Sequence, residues 1–224
     1  MKGPDNPSIA LVMDIVGSRK LDDRQAAQSE IHSAFERARL HSRAEQEPRE
    51  TVGDEFQAVF ADWTQAILFT SVVRLALDGD VDVRFGMGSG GRERVTATGL
   101  EDGSAWWAAR EAVTEARRRQ NGRFPSCRSW FSAERGGAGT EGQGRHGDAQ
   151  QAALINAYLL DRDAVITRMR PRERQWSLGL LEGRTQGELA QESQVSQPAV
   201  SQALSHAGAT ALVEGLKLMK QAGR

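Results

Sequence analysis

This 224-residue chain has a single cysteine, Cys127, and that scarcity removes two possibilities at once. One thiol closes no internal disulfide, and without a CxxC pair or a Cys/His cluster no zinc-ligand spacing is present. A reducing, cytoplasmic location is the expectation. Apolar runs long enough to cross a bilayer are missing too: "AILFTSVVRLAL" is broken by Arg74 and falls short of a span. The leading "MKGPDNPS" is polar and the apolar run after it is interrupted at Asp14, so no signal peptide is expected. The four histidines (His32, His41, His146, His206) are scattered without ligand spacing and are assigned nothing. Nor does one sign of charge dominate, because the formal net charge is −1. Its distribution says more: from Val165 onward eight Lys/Arg face five Asp/Glu, leaving about +3 there and about −4 before it. A mildly basic tail on an acidic body suits a DNA-binding module attached to a control domain. What is present, 39% hydrophobic and 26% charged residues, excludes wholesale disorder.

The first half alternates strand and helix patterns. "SIALVMDIVGS" is an apolar run closed by Gly17, the pattern of a buried strand. Apolar positions recur at near-helical spacing from about Leu21 to Arg43. "RETVGDEFQAVF" reads as two short strands folded about Gly53-Asp54, since Asp next to Gly favours a tight hairpin. A second helix is predicted over Trp63 to Leu77 with Asp62 as N-cap, then a strand in "VDVRFGMGSG". Glu101 to Gln120 reads as a third helix and "CRSWFSAE" as a last strand. The order β-α-β-β-α-β-α-β opens as a ferredoxin-like βαββαβ arrangement, with helices on one face of an antiparallel sheet. The fold class expected is therefore α+β, with an all-α module after it. Arg135 to Gly147, glycine-rich and almost without apolar residues, marks a loop or domain edge. The division is residues 1–147 as the sheet domain, 148–170 as a connecting or dimer-forming helix, and 171–224 as the helical module.

That module has helix-turn-helix patterning. "RERQWSLGLLEG" supplies a first helix with Trp176, Leu178 and Leu181 facing a core. Thr185 caps "QGELAQES", and after a turn at Gln194-Val195, Ser196 caps "QPAVSQALSHA" with Pro198 in its first turn. The recognition helix would present Gln197, Ser201, Gln202 and Ser205 to base edges. Arg184, Thr185 and Ser196 are placed for the DNA backbone. Residues 171–207 resemble the helix-turn-helix of bacterial transcription regulators, which implies double-stranded DNA as partner and a homodimer.

Upstream, Asp14 ends a buried strand and Asp54 sits in a hairpin turn beside it. Two carboxylates meeting there suit Mg²⁺, which takes few protein ligands and completes its shell with water and phosphate. Gly17 and Ser18 start the next turn and helix, whose free N–H groups suit a phosphate. Each feature alone is common in caps and plain hairpins. Together, "VMDIVGSRK" resembles the "DIVGFT" segment of class III adenylyl and guanylyl cyclases, and "VGDEFQAVF" resembles both those enzymes and the GGDEF diguanylate cyclases. "VRFGMGSG" and "WWAAREA" are similar to the cyclase "RIGIHTG" strand and "VNLAARL" helix. The whole chain resembles the SatD-like family of bacterial proteins.

The cyclase resemblance implies metal ligands at Asp14, the Ile15 carbonyl and Asp54, and a phosphate turn at Gly17 and Ser18, with Gly53 in the nucleotide-binding hairpin. It implies a phosphate-steadying role for Arg110 across a dimer interface, and a guanine-reading role for Glu50. The chain departs from the pattern at Trp106, where cyclases carry the Asn that orients the ribose, and at Val52, the first Gly of GGDEF. In-line phosphoryl chemistry tolerates little misplacement. The reading is a dimeric DNA-binding transcription regulator whose cyclase-like domain binds a guanine nucleotide such as GTP, with Mg²⁺, without cyclising it. A cyclic dinucleotide such as c-di-GMP is the other candidate effector. An active nucleotide cyclase and a regulator with a ligand-free dimerisation scaffold are the alternatives. No membrane partner is expected.

Overall fold

The computed structural model describes residues 8–18, 21, 23–51, 53–77, 80–94, 101–134 and 144–222. Val52 and most of the glycine-rich loop, residues 135–143, lie outside them. The first strand, β1 (Ser8–Ile15), is the buried run read from the sequence, and α1 follows at Arg24–Arg39. The hairpin strands are β2 (Ala44–Glu50) and β3 (Glu55–Phe60), joined through Gly53 at φ +87°. Next come α2 (Trp63–Ala76) and β4 (Val83–Gly90). Asp62 caps α2, its carboxylate accepting from the amides of Thr64 and Gln65. A two-residue pair, β5 (Glu93–Arg94) and β6 (Glu101–Asp102), precedes α3 (Ser104–Gln120) and β7 (Ser129–Ala133). The predicted third helix thus starts three residues late, because Glu101 and Asp102 pair with Arg94 and Glu93 instead.

The five-stranded sheet runs β2-β3-β1-β4-β7. β1 is central and antiparallel to both β3 and β4, while β7 adds to β4 in parallel. Side chains alternate across a strand, and β1 uses both faces. Ile9, Leu11, Met13 and Ile15 join Ile31 and Phe35 of α1 and Phe69 of α2 in one core. Ala10 and Val12, with Val59 of β3, pack instead on Ala105, Trp106 and Ala109 of α3. Helices α1 and α2 of the opening βαββαβ unit cover one side, and α3, which follows that unit, covers the other. The reason is legible in β4, where Gly86 and Gly88 leave no Cβ under α3. A methyl built on Gly88 would lie 2.2 Å from the Ala105 carbonyl oxygen.

Helix α4 spans Gly144–Arg168, so it begins inside the segment read as loop. It closes the free edge of β7. The Asn156 side chain both accepts from the Phe131 amide and donates to its carbonyl, each at 2.8 Å. One oxygen of Asp163 accepts from the amides of Arg128 and Ser129 at 2.7 Å. An edge strand left open invites pairing with another chain, and here side chains of α4 occupy the edge from Arg128 to Phe131. The remaining helices are α5 (Pro171–Leu181), α6 (Gln186–Glu192), α7 (Gln197–His206) and α8 (Ala209–Ala222). Their apolar residues, including Trp176, Leu189, Val200 and Leu216, are continuous with the core that holds α1 and α2. Among the described residues, no helix is long and apolar enough to cross a membrane.

Candidate functional site

The sequence-predicted upstream residues divide between the two faces of the sheet. Asp14 lies on the α3 side, opposite Arg84 in the β1–β4 register. Both its oxygens accept from one Arg84 nitrogen at 2.9 Å, and Arg117 of α3 donates to it at 2.9 Å. Gln120 holds the Arg84 Nε in turn. Burial pushes the Asp14 carboxyl above its usual range; Arg84 and Arg117 pull the other way, and the charge of nearby Asp54 adds to the rise. Desolvation disfavours the ion, and the arginines offset that only in part.

On the same side, Arg110 reaches Glu55 of β3 at 3.4 Å, a long and exposed contact within one chain. Trp106, at the position of the departure from the cyclase pattern, is turned into the α3–sheet core and is 4% exposed. Its neighbour Trp107 is 63% exposed, and its indole N–H donates to Asp102 at 2.9 Å. Adjacent helix positions point apart, which separates the pair.

The other face holds a cavity of about 230 Å³ lined by Ile15, Ser18, Leu21, Arg24, Gln28, Gly53 and Asp54. Four of these residues (Ile15, Ser18, Gly53 and Asp54) were named from the sequence. Leu21, Arg24 and Gln28 were not; Leu21 precedes α1 and the other two lie at its start, where the helical pattern gave no sign of facing a cavity. Gly17, at φ +70°, makes the turn after β1 but does not line the cavity. The expectation that Gly17 and Ser18 open the next helix is corrected. That helix starts at Arg24 with Asp23 as N-cap, whose carboxylate takes the Ala26 amide at 2.9 Å. Glu50 does not line the cavity either. Its carboxylate meets His32 Nε2 at 3.0 Å, and His32 packs edge-on against Phe35 and Phe56.

The Mg²⁺ ligands expected from the sequence are Asp14, the Ile15 carbonyl and Asp54. Asp14 is engaged by two arginines on one face while Ile15 and Asp54 border the cavity on the other. No group of three His, Cys, Asp or Glu forms among the described residues. Arg84 and Arg117, the partners of Asp14, were missed by sequence reasoning. The usable signal was Arg84, the one charged residue of β4, where a buried guanidinium requires a carboxylate partner.

In the helical half, the four positions named for base contacts, Gln197, Ser201, Gln202 and Ser205, are all exposed along α7. Ser196 caps α7 through the Ala199 amide. Thr185 caps α6 in a reciprocal pair with Glu188. Between the two helices Gln194 adopts φ 55°, and Trp176 Nε1 donates to Ser193 Oγ at 2.8 Å, pinning the turn to α5. Arg184 is placed differently from the expectation. It donates to Glu192 at 2.6 Å and to Glu182 at 3.1 Å, so its guanidinium is occupied within the chain.

The chain belongs to the SatD family, whose family model matches residues 8–123, about half of the chain. That match runs from β1 through α3 and ends before β7. Among solved structures it is similar to adenylate cyclases from Trypanosoma brucei in their monomeric state. The likeness has 17% identity and a TM-score of 0.40, covering 50% of this chain and 71% of that one. No curated protein matches it.

Proposed function

We propose that this protein is a DNA-binding regulator of transcription, acting as a homodimer, whose sheet half binds a nucleotide effector without cyclising it. The observation that carries the reading is the polar face of α7. Gln197, Ser201, Gln202 and Ser205 stand exposed on a helix whose other side is anchored by Val200 and Leu204, both fully buried. Helix α6, a turn with a left-handed residue, and α7 together form the helix-turn-helix proposed to enter a major groove. Gln pairs bidentately with adenine there, and Ser reaches bases or phosphates. From Thr185 to His206 there is no Lys or Arg, so one copy attracts DNA weakly and a dimer supplies the remaining affinity.

The ferredoxin-like, cyclase-type reading of the sheet half supports a nucleotide at the cavity beside Ser18 and Asp54. A guanine nucleotide is the proposed effector and a cyclic dinucleotide the second candidate. Any Mg²⁺ enters as the cation accompanying the phosphates, since Asp14 is already held by Arg84 and Arg117. Cyclisation is not part of the proposal, because Trp106 faces the core and offers the ribose no hydrogen bond.

The test is selection of duplexes from a random DNA pool, followed by titration of Gln202→Ala. Loss of about 1–3 kcal/mol at one base position, with the other positions unchanged, is the expected result. A wild-type protein that enriches no sequence removes the DNA-reading half of the proposal. Equilibrium dialysis against GTP, with and without Mg²⁺, tests the other half.

A further inference from the structure

We propose that the cavity on the α1 side is a nucleotide subsite in which Arg24 holds a phosphate and Gln28 reads the edge of a purine base. This rests on the nucleotide-binding reading above and moves base recognition from Glu50 to α1.

Charge decides where the phosphate goes. Arg84 and Arg117 are bound to Asp14, and Arg110 to Glu55. Arg24 lines the cavity and has no hydrogen-bond or ion-pair partner among the described residues, and neither has Gln28. The N-terminus of α1 is not a substitute, because the Asp23 carboxylate already occupies the Ala26 amide. A guanidinium suits a phosphate through paired N–H donors. Asp54, at the cavity wall, repels an anion on its own side and so favours binding at Arg24.

Shape and hydrogen-bonding capacity decide where the base goes. Positions 24 and 28 are one helical turn apart, so their side chains leave α1 on the same side with Cβ atoms about 5–6 Å apart. Ile15 and Leu21 supply apolar walls for a flat ring. Of the lining side chains, Gln28 offers a donor and an acceptor in one plane, which a purine edge matches in two hydrogen bonds. Glu50 is outside the cavity and satisfied by His32. The volume, about 230 Å³, lies below the roughly 300–1,000 Å³ usual for a drug-sized ligand, so the cavity takes a base, its sugar and the nearest phosphate while further phosphates extend into solvent.

The experiment is isothermal titration of the full-length protein with guanosine, GMP, GTP and ATP, for wild type, Arg24→Gln and Gln28→Leu, with thermal melts confirming that each variant is folded. Arg24→Gln should weaken GMP and GTP about tenfold or more while leaving guanosine unchanged, since a charge-assisted pair is lost and the base contact is not. Gln28→Leu should weaken guanosine and GMP together and bring GTP and ATP to within about twofold of each other. Nucleotide binding by wild type with both variants unchanged overturns this subsite and leaves the nucleotide reading standing. No binding of any of the four compounds by wild type overturns both.

Discussion

Asp163 carries more of the structure than any single residue near the candidate site. It is fully buried, accepts from Arg74 at 2.6 Å and from Arg162, and ties two backbone amides at the start of β7 to α4. Arg162 is itself fully buried and donates to Thr70 and Ser71 of α2. Burial pulls the Arg74 pKa down and the Asp163 charge pushes it back up, so each charge is tolerated only with the others in place. Asp163→Asn keeps the volume but strands two guanidinium groups; a loss of about 3–5 kcal/mol is expected, read as a lower urea midpoint. Given a typical total of about 5–15 kcal/mol, this variant sits near the edge of folding. Asp14 is a milder case. It is bonded to Arg84, but its partly exposed position and its second partner, Arg117, soften the loss of either arginine. Cys127 is inert by comparison: it is buried, and desolvation pushes its thiol up to about 11.

At the scale of elements, close approach and junction chemistry set the tolerances. Helix α3 lies directly on the glycines of β4, and a methyl at Gly88 would meet the Ala109 amide nitrogen at 2.2 Å. The obstacle is backbone, which cannot rotate away. Gly88→Ala should cost at least the upper end of the usual 1–3 kcal/mol of overpacking, about 3 kcal/mol, measurable as a fall in melting temperature. A second junction joins the end of α1 to α8. There Lys220 approaches His41 Nδ1 at 3.2 Å, so Nδ1 accepts and the proton belongs on Nε2, which is buried without a partner. Burial lowers the His41 pKa from 6.5, and the Lys220 charge lowers it further. In the unfolded chain this histidine takes up a proton near pH 6.5, whereas the folded protein resists it. Stability is therefore full above that pH and falls below it, by at most about 1.4 kcal/mol per pH unit. His41→Gln should flatten the melting temperature between pH 7.5 and 5.5 relative to wild type.

At the scale of the whole molecule, the helices from α4 onward share one apolar core with the sheet's α1–α2 side. Trp176 of α5 and Leu216 of α8 belong to the same cluster as Phe35 and Phe69. Arg37 of α1 also pairs with Glu182 just after α5, at 2.7 Å. Urea unfolding followed by tryptophan fluorescence and by far-UV circular dichroism should therefore give coincident curves. Two separated transitions would mean that the helical half folds on its own and that its contacts with α2 contribute little. The sequence alone determined the local structure. A continuous apolar run placed β1, Gly53-Asp54 placed the hairpin, and Asp62, Thr185 and Ser196 placed helix starts, because caps and apolar patterning act over a few neighbouring residues. It also brought Ile15, Ser18, Gly53 and Asp54 to one cavity, since they are the ends of adjoining elements. Only the tertiary structure decided the rest: α3 on the opposite face, Arg84 and Arg117 on Asp14, His32 on Glu50, Arg184 held by Glu182 and Glu192, and Arg24 with Gln28 beside the cavity. Those pairings join residues distant in sequence or set which way a surface side chain turns, and charge partners chosen across a folded surface leave no period or motif in the chain.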